Sequence, residues 1–86
     1  MPVISIFFGI LIEMFWNEHA PPHFHAKYAE HQATFDIRKL ELMEGFMPRR
    51  TKNLILDWAE LHQSELLVNW ELCHENRHPN KIAPLE

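Results

Sequence analysis

The chain has 86 residues, of which 47% are hydrophobic and 23% charged, with 2 glycines and 6 prolines. This length excludes a second domain, and this composition excludes a disordered or low-complexity chain. The formal net charge of -4 disfavours generic nucleic-acid binding but permits a local basic patch, and the single Cys73 excludes an internal disulfide. We therefore expect one domain over residues 1–86, in the reducing environment of the cytoplasm.

The apolar beginning of the chain, residues 1–16, is expected to form buried strands. It has no basic leading region, it contains Glu13, and it is shorter than the roughly 20 residues needed to span a bilayer. Residues 3–8 and 10–17 are rich in β-forming side chains, and Gly9 between them suits a turn or bulge. The pattern predicts two strands and no association with a membrane.

A loop and then a hairpin follow these strands. Pro21 and Pro22 break the pattern, because adjacent prolines cannot donate hydrogen bonds to a sheet. Apolar and polar residues then alternate over 23–29 and again over 32–38, and a further short strand is expected over 40–44. The sequence thus predicts an antiparallel sheet of four to five short strands with one polar face.

The register of this hairpin depends on its loop. If residues 30–31 form the loop, counting back along the two strands places His25 opposite Asp36. The same count places His23 opposite Arg38. We take this register as a hypothesis.

A helix is expected over about residues 48–75, with Pro48 in its first turn, where its missing N–H is not needed. Its apolar residues form two stripes that a straight helix cannot aim at one flat sheet. A kink or break near residues 62–64, with Ser64 as N-cap, resolves this conflict. The alternative is one continuous helix whose second stripe binds another subunit. Residues 77–86 are expected to form an extended tail, and the whole pattern predicts an α+β fold with the helix packed on one face of the sheet.

The histidines around the third strand suggest a metal site. His23 and His25 are two residues apart on one strand, so both imidazoles can reach one ion, and the preceding loop supplies His19. Asp36 or Glu41 could complete or orient such a site for a divalent metal, zinc or manganese. The competing interpretation is a solvated sheet face on which these side chains avoid burial.

His25 also suggests acid–base chemistry without a metal. A carboxylate on the neighbouring strand, Asp36, could hold the imidazole and select its tautomer. Such a pair suits phosphodiester cleavage in a small RNase, so His25 and Asp36 are the candidate catalytic residues.

A basic segment at the start of the helix could bind phosphate. Arg49, Arg50 and Lys52 oppose the helix dipole there, and a phosphate held by guanidinium groups and backbone N–H groups compensates for this. The alternative is that these cations pair with Glu41, Glu44 or another nearby carboxylate.

Other conspicuous side chains are expected to be structural. Trp16 and Trp58 lie among apolar residues and are predicted to be core anchors. Cys73 is not expected to be a nucleophile, because the adjacent His74 points to a different side of the helix.

The chain also resembles a known family through a distinctive run, Asn17-Glu18-His19-Ala20-Pro21-Pro22-His23-Phe24-His25-Ala26. The similarity continues in Pro48-Arg49-Arg50 and in Trp58-Ala59-Glu60-Leu61-His62. These motifs resemble the small bacterial proteins of the domain of unknown function 4160. The resemblance implies a bacterial cytoplasmic protein of about this length, often encoded beside another small protein in an arrangement like that of toxin–antitoxin modules. It brings no established activity and no catalytic residues.

Two functions follow as expectations. The first is an interaction or toxin-like component of a two-gene module, which binds a small protein partner or a second copy through the second helix stripe and the tail. The second is an RNase or metal-dependent hydrolase that uses His23, His25 and Asp36, with Arg49 and Arg50 holding the phosphates of RNA. A structural binding domain with a solvated histidine-rich face is the third interpretation, and the sequence leaves open whether the protein is an enzyme.

Overall fold

The computed structural model describes residues 2–86 and has an antiparallel sheet followed by helices, which confirms the expected α+β fold. Of the two arrangements considered for residues 48–75, the chain adopts the broken one, and a single continuous helix is wrong. The elements are β1 (Val3–Phe7), β2 (Ile10–Glu13), β3 (His23–Tyr28), β4 (His31–Asp36), β5 (Glu41–Gly45), α1 (Arg49–Leu61) and α2 (Gln63–His74).

The five strands form a meander in which each strand pairs antiparallel with the next, in the order β1-β2-β3-β4-β5. Left-handed residues lie in the short turns: Phe8 and Gly9 between β1 and β2, Ala29 between β3 and β4, and Leu40 before β5. The connection between β2 and β3, residues 14–22, is much longer. The central strand β3 therefore has an extended loop at its beginning.

The turn between β3 and β4 differs from the expected one. Tyr28 pairs with His31, so the turn consists of Ala29 and Glu30. Ala29 has a φ of 53°, a conformation that glycine and asparagine adopt far more readily than alanine. The side chain of Ala29 therefore gives no signal for this turn.

This turn changes the partners across the hairpin. His25 lies opposite Thr34, and His23 lies opposite Asp36. The expected pairings of His25 with Asp36 and of His23 with Arg38 are both wrong.

Strand β2 is shorter than expected, because it ends at Glu13 and residues 14–17 belong to the loop. The apolar composition of residues 14–17 does not reveal where the strand ends, because Met14 is fully buried although it lies in the loop. Glu13 is only 3% exposed although it is a carboxylate, and Lys27 Nζ approaches its Oε1 at 3.4 Å. Lys27 therefore provides the positive charge nearest to this buried acid.

The core lies on one face of the sheet, where Ile12, Phe24 and Phe35 are completely buried. Phe24 and Phe35 stack with ring centroids 5.4 Å apart, and Trp58 of α1 lies edge-on to Phe24 at 5.8 Å. Burial of each such side chain contributes about 1.5–3 kcal/mol to folding. Trp58 is thus the core anchor that the sequence indicated, whereas Trp16 is wrongly expected there, since it is 39% exposed.

The two helices are separated by His62, whose backbone (φ -119°, ψ 23°) leaves the helical region. Ser64 lies inside α2 and is not its N-cap. The break lets α1 bury Ile55 while α2 buries Leu66 and Trp70, so both apolar stripes face the interior. The second stripe, considered above as a surface for another subunit, is covered by the chain itself.

Residues 77–86 have no helix or strand, but they are held against the domain. The backbone N–H of Ile82 donates to the carbonyl of Ile4 in β1 (2.8 Å), and Trp58 Nε1 donates to the carbonyl of Ala83 (2.8 Å). The tail thus covers the outer edge of β1. Within residues 2–86, no helix combines the length and the apolar character that crossing a membrane requires.

Candidate metal centre

Three side chains converge at the beginning of β3. Glu18, in the loop that precedes the strand, places Oε1 2.7 Å from Nε2 of His25 and 3.3 Å from Nε2 of His23. One ligand atom from each of the three residues lies within 4.8 Å of the others. The side chains of Glu18 and His25 keep 25% and 23% of their surface exposed, so an ion or substrate could reach them from solvent.

The strand geometry explains why the two histidines meet. Side chains two residues apart on a strand point to the same side, and the imidazole centroids of His23 and His25 are 5.3 Å apart. His23 packs against the ring of Trp70 in α2 (5.1 Å), and His25 packs against Phe15 in the loop (4.4 Å). Each imidazole therefore has an aromatic neighbour that limits its rotation.

The tautomer of His23 follows from its other contact. Nδ1 of His23 lies 2.8 Å from the carbonyl oxygen of Pro21, and because a carbonyl only accepts, Nδ1 carries a proton and donates it. A neutral His23 then has a lone pair on Nε2, the atom that faces the carboxylate of Glu18. Two electron-rich atoms 3.3 Å apart repel each other unless a cation lies between them. A metal ion bound between these two atoms would remove this repulsion.

The separation of the ligand atoms suits a tetrahedral ion. Zinc binds histidine nitrogen and carboxylate oxygen at about 2.0–2.2 Å, which places neighbouring ligand atoms about 3.3–3.4 Å apart. The distance from His23 Nε2 to Glu18 Oε1 has this value, whereas the 2.7 Å between His25 Nε2 and the same oxygen would have to lengthen by about 0.6–0.7 Å to reach this tetrahedral spacing. The contact of His23 Nδ1–H with Pro21 is the kind of outer contact that metal-bound histidines make.

Of the three histidines expected as ligands, the structure brings two together. His19 is exposed and lies outside the group formed by Glu18, His23 and His25. Glu18 is the residue that the sequence reasoning missed. Its only sequence signal is a carboxylate beside His19 in a loop next to the His-x-His strand, and nothing local shows that it turns toward that strand.

The expected catalytic pair of His25 and Asp36 does not form. Asp36 is buried opposite His23, and its Oδ1 accepts the backbone N–H of Lys39 at 2.8 Å, which closes the turn after β4. The carboxylate that contacts His25 is that of Glu18. Asp36 therefore has a structural role in this turn.

The basic segment lies elsewhere on the molecule. Arg49 and Arg50 are exposed at the beginning of α1 and line a separate depression with Asn53 and Leu54. Within residues 2–86, neither arginine nor Lys52 makes an ion pair with Glu41 or Glu44, or with any other carboxylate. This depression shares no residue with the group of Glu18, His23 and His25, which we call the Glu18 cluster.

A groove of about 450 Å³ adjoins His25. It lies over the sheet face opposite the core, because its polar lining residues alternate with Phe24 and Phe35 along their strands. Its lining includes Phe15, His25, Lys27, Gln32, Thr34 and Glu44. A small substrate in this groove would lie against one of the three clustered side chains.

Cys73 is a residue of α2 and is completely buried. Burial raises the pKa of its thiol, and the negative charge of Glu18 raises it further. The thiol therefore stays protonated at neutral pH, in agreement with the expectation that Cys73 is not a nucleophile.

Comparison with known proteins identifies the family. The model of the family described as Domain of unknown function (DUF4160) matches residues 9–71, which include all the strands after β1, the Glu18 cluster, α1 and most of α2. No curated protein and no solved structure matches the chain.

Proposed function

The chain belongs to the DUF4160 family, and because the description of that family names no activity, we propose a function from the site itself: Glu18, His23 and His25 bind a divalent transition-metal ion that serves hydrolysis. The observation that carries this proposal is the contact between His23 Nε2 and Glu18 Oε1. Because Nδ1 of His23 donates its proton to the carbonyl of Pro21, the lone pair on Nε2 is available to bind a cation.

Zinc is the metal that these ligands favour. Imidazole nitrogens suit zinc, whereas manganese prefers a larger share of oxygen ligands. Two histidines and one glutamate are also a ligand set of catalytic zinc sites, which leave the fourth position to water or substrate. Manganese is the second choice for the same three residues.

The open position is what makes hydrolysis the favoured chemistry. A zinc ion lowers the pKa of a bound water to about 7, which supplies hydroxide at neutral pH. Since His25 lines the groove of about 450 Å³, a substrate there would lie close to that position. The proposed activity is the hydrolysis of an ester, amide or phosphodiester bond, and RNA remains one candidate substrate.

A metal-free alternative has its own support. His25 Nε2 lies 2.7 Å from Glu18 Oε1, a distance at which the carboxylate can hold and polarise the imidazole for acid–base catalysis.

The other sequence-derived functions remain predictions. Binding of phosphate by Arg49, Arg50 and Lys52 is supported by the absence of ion pairs at these cations within residues 2–86. A protein partner is supported by apolar side chains exposed in and beside β5, which are Leu42, Met43 and Phe46. A role as a toxin-like component of a two-gene module stays a prediction from the family resemblance.

Metal analysis of untagged protein tests the proposal. We expect one zinc or manganese ion per chain. The Glu18→Gln and His25→Ala variants should lose more than about 100-fold in metal affinity, because removal of a ligand should cost at least as much as removal of a side chain that only supports a ligand. His19→Ala and His31→Ala are matched controls, since both histidines lie outside the cluster. Protein that binds neither metal, or that loses it equally in His19→Ala, contradicts the proposed site.

A further inference from the structure

The position of Glu18 depends on a loop. The two histidines are held by β3, whereas Glu18 belongs to residues 14–22, outside any strand. The residue before it, Asn17, has a left-handed backbone with φ of 57°. Something beyond local sequence must keep this loop in a conformation that turns Glu18 toward the strand.

The loop is attached to the end of α2 through two side chains. Asn17 Nδ2 donates to Asn76 Oδ1 at 2.8 Å, and Trp16 Nε1 donates to the carbonyl of Arg77 at 2.9 Å. These residues are separated by 59 and 61 positions along the chain. These two hydrogen bonds therefore fix the loop to the turn that ends α2.

That turn is itself well defined. Asn76 has φ of 58°, its backbone N–H donates to the carbonyl of Cys73, and the N–H of Arg77 donates to the carbonyl of Leu72 at 2.9 Å. These bonds satisfy carbonyl groups at the end of α2, as capping turns do. The acceptor that Asn76 offers to the loop is thus fixed to the helix.

Helix α2 also contacts the second ligand. Trp70 packs on the imidazole of His23 with ring centroids 5.1 Å apart. The same helix therefore reaches His23 through Trp70 and the Glu18 loop through Asn76.

We infer that Asn76 is a positioning residue of the metal site, which acts through Asn17 to hold Glu18 beside the two histidines. This inference rests on the proposed function when it is tested by metal affinity, but not when it is tested by the contact of Glu18 with His25 in metal-free protein. Because the bond between the two asparagines is exposed to water, its loss leaves the ligands present but less well placed. Loss of a supporting contact of this kind costs about 10-fold in metal affinity.

The first measurement is zinc affinity by competition with a chromophoric chelator. Asn76→Gly removes the acceptor and keeps the left-handed backbone, so we expect a Kd about 10-fold higher with the urea midpoint of the metal-free protein nearly unchanged. Asn76→Asp keeps an oxygen acceptor and should restore the affinity. Ala29→Gly, at a left-handed position in the β3–β4 turn, is the control for adding a glycine. An unchanged Kd in Asn76→Gly overturns the inference, and so does a failure of Asn76→Asp to restore it.

The second measurement needs no metal. The ring nitrogens of His25 report its contact with Glu18 in metal-free protein, so nitrogen NMR of the imidazoles should change at His25 in both Asn76→Gly and Asn17→Gly, with no further change in the double variant. His31, which pairs with Tyr28 across the hairpin, is the internal reference. If wild-type protein binds no metal, the proposed function fails while this spectrum still decides the role of Asn76. An unshifted His25 signal overturns the inference even in a protein that binds zinc.

Discussion

Glu18 reaches across from the β2–β3 loop to His25, and its Oε1 lies 2.7 Å from Nε2 of the imidazole. The same oxygen lies 3.3 Å from Nε2 of His23, so one carboxylate oxygen serves two histidines. A metal ion bound there would connect the loop to the central strand. The stability of the protein should then depend on the metal.

Zinc should therefore raise the melting temperature. A ligand present at 100 times its Kd stabilises the folded state by about 2.7 kcal/mol, because it binds the folded state preferentially. We expect this stabilisation in wild-type protein and its loss in Glu18→Gln, as measured by calorimetry with and without a chelator. The proposed site is contradicted if zinc leaves the melting temperature of wild-type protein unchanged, or if zinc raises it equally in the variant.

Removal of Lys27 should destabilise the protein through Glu13. Glu13 is 3% exposed and Lys27 Nζ is 3.4 Å from its Oε1, so Lys27→Met leaves a buried carboxylate without its cation. Since the lysine side chain is 39% exposed and water screens part of the interaction, we expect a cost of about 1–3 kcal/mol in urea unfolding.

The double variant Glu13→Gln with Lys27→Met is the control for this pair, because it removes the buried charge along with its partner. Its stability should recover relative to Lys27→Met alone. Equal instability of the two variants indicates that Lys27 acts through packing instead of charge.

Gly45 and Gly9 should respond differently to alanine. Both have a positive φ, 86° and 78°, so both variants carry the strain of a left-handed alanine, about 1–2 kcal/mol. At Gly45 the new methyl group would also lie 2.2 Å from the carbonyl oxygen of Gln32 in β4, whereas at Gly9 its nearest neighbour is a Tyr28 ring carbon at 3.6 Å. Gly45→Ala should therefore lose clearly more stability in denaturant unfolding, and similar losses in the two variants contradict this close approach.

Alkaline pH should destabilise the protein through Cys73. Burial, and secondarily the charge of Glu18, raises the pKa of this thiol above its ordinary value of 9.0. As pH rises above 9.0 the unfolded chain loses the thiol proton while the folded chain keeps it, so the free energy of unfolding falls by up to about 1.4 kcal/mol per pH unit. This contribution is fully present below that pH and is lost as pH passes through the raised value.

Cys73→Ala isolates this effect, since every other titrating group is common to both proteins. Its unfolding free energy should fall less steeply above pH 9.0 than that of wild-type protein. Parallel pH profiles of the two proteins mean that the thiol has no such role.

Local patterns predicted the sheet because the direction of side chains along a strand repeats every two residues. That period alone puts His23 and His25 on one face. The register was not predictable, because Ala29 adopts a left-handed backbone that its side chain does not favour. The third member of the site was missed for a related reason. The direction of Glu18 depends on bonds from Trp16 and Asn17 to residues about sixty positions away, and no local pattern contains them.

These long-distance bonds also order the events of folding. The hairpins of the meander close over short stretches of chain, whereas the attachment of Asn17 to Asn76 and of Ile4 to Ile82 must close very long ones, which is entropically slower. A nascent chain on the ribosome can therefore assemble its sheet while Glu18 is still free of the histidines. The three side chains of the proposed metal site should therefore come together only after α2 has emerged and docked.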